Sequence, residues 1–139
     1  MAFIDGRGSR FRIADTGGVM RDLSAYITEV RGLPGERALN EVTALGDSGA
    51  RFKPGAKTVM FTLSGLFDDT ANTGAGAVLG ALRYHDTTTA FEYAPAGLAA
   101  SSVRYTGDCW VKSYELLSRA GELVSWKAAL QVEGAVSRV

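Results

Sequence analysis

The sequence predicts a mainly β protein, an antiparallel β-sandwich or barrel with one short flanking α-helix. Three observations carry that reading. Seventeen glycines and three prolines in 139 residues cut the chain into short pieces, which favours strands and turns over long helices. Residues 57–67 and 122–134 alternate apolar and polar side chains with the period of a strand. Only residues 72–84 repeat apolar side chains at helical spacing, and strands with a single inserted helix belong to a sheet with a helix packed on it.

The elements follow in chain order. Phe11 and Ile13 between Arg10 and Arg12 alternate as a first strand, and Asp15-Thr16-Gly17-Gly18 reads as a turn. In residues 23–33 the spacing of Leu23, Tyr26, Ile27 and Val30 fits a helix, but Tyr, Ile, Thr and Val favour a strand, and strand is the reading taken. Residues 37–46 hold a further short strand. Residues 46–56 are polar, with glycines and a proline, and are expected to form a projecting loop. In 57–67, Val59, Phe61, Leu63 and Phe67 take one face, and Thr58, Met60, Thr62 and Ser64 the other. The helix over 72–84 places Ala75, Val78, Leu79 and Leu82 on one side, with Thr70 or Asn72 as its cap. Strands are expected at 89–93, 103–106 and 109–117. In 122–134, Val124, Trp126, Ala128, Leu130 and Val132 form a dry face opposite the wet face of Ser125, Lys127, Ala129, Gln131 and Glu133, as in an antiparallel sheet with one solvated side.

Composition bounds the rest. The chain fits one domain, residues 1–139, with an N-terminal arm over 1–10 and a C-terminal tail over 135–139. Fifteen Lys and Arg balance fifteen Asp and Glu, so a protein that grips nucleic acid through a basic excess is disfavoured. A near-zero net charge suits packing against copies of itself. Cys109 is the sole cysteine, which excludes an intrachain disulfide and a cysteine zinc cluster. The first residues lack the apolar core of a signal peptide, and the longest apolar stretch, 74–82, is too short to span a bilayer, so a soluble protein of a reducing compartment, without membrane binding of its own, is expected.

No catalytic constellation emerges. His85, the single histidine, precedes Asp86 and a threonine run and reads as a surface-loop residue, with no nucleophile motif near it. Asp68-Asp69 reads as a turn, since no further oxygen ligands follow at calcium-loop spacing. The glycines from Gly74 to Gly80 miss the dinucleotide-loop spacing and lack its parallel βαβ setting. Cys109 reads as a buried thiol, and Trp110 and Trp126 as core or interface anchors. No enzyme, no metal and no cofactor is expected.

Several phrases occur together in a set order: Leu23-Ser24-Ala25-Tyr26-Ile27 through Val30 to Gly32-Leu33, then Val42-Thr43-Ala44-Leu45-Gly46, then Phe52 to Gly55 leading into Phe61-Thr62-Leu63-Ser64-Gly65-Leu66-Phe67-Asp68. Phe91-Glu92-Tyr93-Ala94-Pro95-Ala96-Gly97, Ser113-Tyr114 and the closing Leu130-Gln131-Val132-Glu133-Gly134 complete the set. Over nearly its whole length the chain resembles the major tail tube protein of long, non-contractile-tailed bacteriophages. That resemblance implies a β-sandwich with a flanking helix, shared with the tube of the type VI secretion system. It implies hexameric rings that stack into a hollow tail tube. It also implies a tape measure protein inside, terminator and tail-tip proteins at the ends, and transient non-specific passage of DNA. The place implied is the virion tail, with the host cytoplasm during assembly. It brings no catalytic residues.

On that reading the wet strand faces become candidates for the lumen wall: Thr58, Thr62 and Ser64 with Ser125, Lys127, Gln131 and Glu133. The outer surface is the alternative place for them. Arg51, Phe52, Lys53 and Pro54 are the candidates for contact with the adjacent ring. The competing reading is a monomeric barrel that binds a small ligand between Trp110, Trp126 and Tyr114.

Overall fold

The computed structural model describes residues 3–99 and 101–139. Among the described residues there are nine strands and one helix, together with two short 3-10 turns at Gly6–Gly8 and Ser24–Tyr26. The strands are β1 (Arg10–Ala14), β2 (Met20–Asp22), β3 (Ile27–Arg31), β4 (Arg37–Glu41), β5 (Phe52–Lys57), β6 (Met60–Leu66), β7 (Thr89–Ala94), β8 (Tyr105–Leu117) and β9 (Ser125–Arg138); the helix is α1 (Ala75–Leu82). Seven strands make one antiparallel sheet in the order β2-β1-β7-β8-β9-β6-β3, while β4 and β5 pair only with each other. The mainly β fold with one helix is the predicted class.

The sheet curls on itself. Three strand spacings separate β7 from β6, about 14 Å of sheet, yet the rings of Phe91 and Phe61 lie 5.0 Å apart. Phe11 of β1 joins them at 5.9 Å from Phe61. The chain also closes one end of the curl. Leu23 donates its N–H to the Phe11 carbonyl and Ser24 Oγ accepts from the Phe11 N–H, so the chain leaves β1's edge there. The 3-10 turn then crosses to β6, where the Tyr26 carbonyl lies so near Gly65 that a Cβ there would be 1.8 Å from it. Inside the curl, Trp126, Ala128, Leu130 and Val132 of β9 pack with Phe61 and Leu63 of β6 and with Val78, Leu79 and Leu82 of α1.

Five local expectations are corrected. Residues 23–33 are not one strand: the 3-10 turn occupies the helix-like spacing and β3 begins only at Ile27. The helix is shorter than 72–84, and neither Thr70 nor Asn72 caps it. Gly74 holds the cap position, where a side chain would meet the Thr70 carbonyl at 2.7 Å. The expected strands at 103–106 and 109–117 are one strand, β8, and residues 135–138 are no tail. They extend β9, pairing Ser137 with Thr106 and Arg138 with Tyr105. Within the expected arm 1–10, the described residues from Phe3 onward hold a 3-10 turn and the first residue of β1, and Met1 and Ala2 lie outside the described residues.

The projecting loop over 46–56 is also half strand. Phe52–Lys57 is β5, paired with β4 through Leu39 opposite Pro54, Asn40 opposite Lys53 and Glu41 opposite Phe52. Pro54 and Gly55 read as part of a projecting loop in the sequence, but a two-stranded ribbon has only edges, where both residues are tolerated.

Candidate assembly surfaces

The register of the large sheet brings the wet-face candidates together. Across β8, β9 and β6, Leu117, Ser125 and Leu66 form one row, and Glu115, Lys127 and Ser64 the next. Ser113, Ala129 and Thr62 follow, then Trp110, Gln131 and Met60, with Asp108 opposite Glu133 beyond. Thr62, Ser64, Ser125, Lys127 and Gln131 therefore share one continuous face. Thr58 lines a cleft with Met60 and Gln131 at the start of β6, and Glu133 accepts the Trp110 indole N–H at 2.8 Å. β3 adds Glu29 beside Ser64 and Arg31 beside Thr62. Charges of both signs alternate with small polar groups, so the face offers no basic track for phosphates.

Two bulges interrupt the β8–β9 ladder, and the one in β8 sets which of its residues reach this face. Lys112 is an extra residue in β8 between the pairs Val111–Leu130 and Ser113–Ala129. Before it, Cys109 and Val111 point to the core; after it, Tyr114 does, packing 5.9 Å from the Trp126 ring. The second lies in β9 at Gly134, whose φ of +78° suits glycine. Plain alternation in the sequence cannot reveal the change of parity at Lys112.

The Lys112 bulge separates the residues of the proposed ligand pocket. Trp126 is buried in the core and Tyr114 packs on it, whereas Trp110 lies on the wet face with its indole on Glu133. One cavity cannot be lined by side chains from both faces of a sheet, so that pocket does not form.

The β4–β5 ribbon stands apart from the core. All its strand residues are exposed except Gly55, which is half-buried. Leu39 and Phe52 are each more than half exposed, and Leu45 on the distal connection is fully so. The connection is held by its own bonds: the Asp47 carboxylate accepts the Ala44 N–H at 2.7 Å, and Thr43 Oγ1 accepts the Arg51 N–H at 2.9 Å. Arg51 ends that connection, while Phe52, Lys53 and Pro54 lie in β5. Phe52 and Pro54 share a face with Leu39, and Lys53 points to the other face with Asn40. A lone two-stranded ribbon is marginal in water.

The total accessible surface is 8925 Å². A compact monomer of this mass exposes roughly 7,000 Å², so the chain carries roughly 2,000 Å² in excess. At the sheet margins, β2 and β3 each leave one side unpaired.

The other chemical candidates are spread out or silent. The His85 ring sits in the loop after α1 against Thr87. The Asp68 carboxylate accepts from the Thr70 hydroxyl and N–H, which lower its pKa, the hydroxyl more; this is a turn. Burial, aided by Asp108, pushes the Cys109 thiol up to about 12, so it stays protonated and unreactive near neutrality. Among the described residues no three metal-ligating side chains cluster, and no helix is long and apolar enough to cross a membrane.

No protein-family model matches the chain, and no curated protein matches it. Solved structures do. The chain is similar to one in the virion of a native gene transfer agent particle, at 16% identity and a TM-score of 0.75, covering 99% of each chain. It is similar at 17% identity and a TM-score of 0.76 to one in the tail of an empty gene transfer agent particle with C6 symmetry, again over 99% of each. It is also similar to the SPP1 tail tube, at 12% identity and a TM-score of 0.76, covering 98% of this chain and 78% of that one. The chain has the phage tail tube fold.

Proposed function

We propose that this chain is a structural subunit of a tail tube: six copies close a ring, and rings stack into a hollow conduit. The observation that carries this is the match over 99% of both chains to a subunit in a tail of C6 symmetry. The physical features agree with it. A subunit that completes its surface in an assembly explains the roughly 2,000 Å² of excess exposure, the naked ribbon and the unpaired margins of β2 and β3.

The polar face of β8, β9, β6 and β3 is the lumen wall in this proposal. Four strands from each of six subunits, spaced ~4.8 Å, make a wall roughly 115 Å around and nearly 40 Å across before tilt. A barrel closed within one such chain would hold only side chains or one small ligand. Thr58, Thr62, Ser64, Ser125, Lys127, Gln131 and Glu133 line the conduit, and α1, which packs on the core side of the sheet, faces outward. Mixed signs let a tape measure protein occupy the bore and let DNA slide through without gripping its phosphates. Terminator and tail-tip proteins close the two ends. The chain works in the virion tail after assembly in the host cytoplasm, and it does so without catalysis.

Electron microscopy of the concentrated protein tests the subunit reading: six-fold rings or tubes are expected, and a monomer at every concentration by sedimentation overturns it. The facing is tested on assembled tubes. Gln131→Cys resists a polymer-coupled maleimide too large for the bore, whereas Ala77→Cys on α1 reacts. The opposite pattern places the polar face outside.

A further inference from the structure

The curl of the large sheet leaves a seam. β1 and β3 stand five places apart in the strand order and make no ladder with each other. Between them opens a cleft of about 520 Å³. Its floor is Phe11, Ile27, Val30 and Tyr93, which belong to the core or pack against it, so the cleft is core left uncovered. Gly6 and Arg7 of the first 3-10 turn stand on its rim.

Just before that rim the chain carries the opposite feature. Phe3 is 91% exposed and Ile4 62%, and neither lines the cleft. The turn keeps them out of it. Asp5 is held extended, at φ −75° and ψ 132°. Its carboxylate accepts the Arg7 N–H at 2.8 Å and the Arg7 guanidinium at 2.8 Å, and its carbonyl accepts the Gly8 N–H at 3.1 Å. Ser9 Oγ then donates to the Pro95 carbonyl at 2.8 Å, which pins the turn to the residue that follows β7. For Phe3 to reach the floor of its own cleft, the chain would have to reverse at Asp5 and break these bonds.

An apolar arm and an apolar cleft that cannot meet on one copy can meet between two, as when protomers exchange an identical element. Each copy then gives one arm and takes one, a head-to-tail contact that makes a ring when the rotation closes. We infer that Phe3 and Ile4 of one copy fill the β1–β3 cleft of its neighbour in the same ring. This rests on the tube reading and adds to it a lateral lock between neighbours. Covering each of the two side chains strengthens that contact by roughly tenfold to hundredfold in Kd.

Phe3→Ser with Ile4→Ser is expected to leave the melting curve of the monomer unchanged, because both side chains are exposed on their own copy. The same variant is expected to need about 100-fold more protein to form rings, read by sedimentation. A second measurement locates the acceptor. Phe3→Cys protein is mixed with Val30→Cys protein, assembled and treated with a short bismaleimide. A dimer joining the two variants is expected from the mixture and not from either alone, and the buried Cys109 thiol, raised to about 12, stays silent. Rings at the wild-type concentration from the double-serine variant, or an assembled mixture with no cross-linked dimer, overturn the arm contact and leave the tube reading intact. Rings kept and tubes lost in the double-serine variant put the arm between rings and overturn the lateral lock. A wild-type protein that forms neither rings nor tubes overturns the tube reading and this inference with it.

Discussion

Gly65→Ala is the sharpest probe of how the sheet closes. Gly65 sits in β6 beneath the 3-10 turn, paired with Ile27 on one side and Trp126 on the other. A methyl group there would lie 1.8 Å from the Tyr26 carbonyl oxygen and 2.9 Å from Trp126 Nε1. Ordinary contact begins near 3.4 Å, so the turn must retreat by about 1.5 Å, since a backbone carbonyl cannot swing aside like a side-chain tip. The turn is anchored by Leu23, which is fully buried, and by the Tyr26 N–H bond to the Leu23 carbonyl at 2.9 Å. Overpacking of this kind costs about 3 kcal/mol, the upper end of the usual range because backbone must move. In a domain of this size that lowers Tm by roughly 10 °C. The assay is urea and thermal unfolding followed by circular dichroism, at a protein concentration where sedimentation shows a monomer, because any self-association adds stability of its own. A midpoint within about 0.5 kcal/mol of wild type refutes the close approach of the turn to β6.

Three further outcomes follow from the packing of the fold. Gly80→Ala, inside α1 with nothing within 4 Å of the new methyl, has the opposite sign and stabilises the monomer by about 0.5–1 kcal/mol in the same unfolding assay. Thr89→Val removes the buried hydroxyl that donates to the Ala14 carbonyl at 2.6 Å and costs about 1–2 kcal/mol, read as a shift in urea midpoint at constant slope. Cys109 resists iodoacetamide at pH 8 in the native protein and reacts on unfolding. Its thiol is raised in the folded state, so its stabilising contribution is complete below pH 9 and is lost as pH climbs from 9 towards 12, where the unfolded chain releases the proton first; a native thiol that alkylates as fast as a free one refutes its burial.

The sequence by itself determined the facing of its regular strands. Val59, Phe61 and Leu63, and Trp126 through Val132, alternate because a strand's side chains change sides at every residue, a property of the local backbone. It also determined the helix near 75–82. Tertiary structure alone decided what depends on partners distant in the chain. Residues 135–138 joined β9 because Thr106 and Tyr105 lay ready to pair with them, and β5 became a strand because β4 offered an edge. Lys112 bulged out of β8 and so put Trp110 on one face and Tyr114 on the other. Whether a run of residues pairs, and where a ladder slips by one, is settled by hydrogen bonds across the sheet. Local alternation records only which side a residue would take if the ladder never slipped.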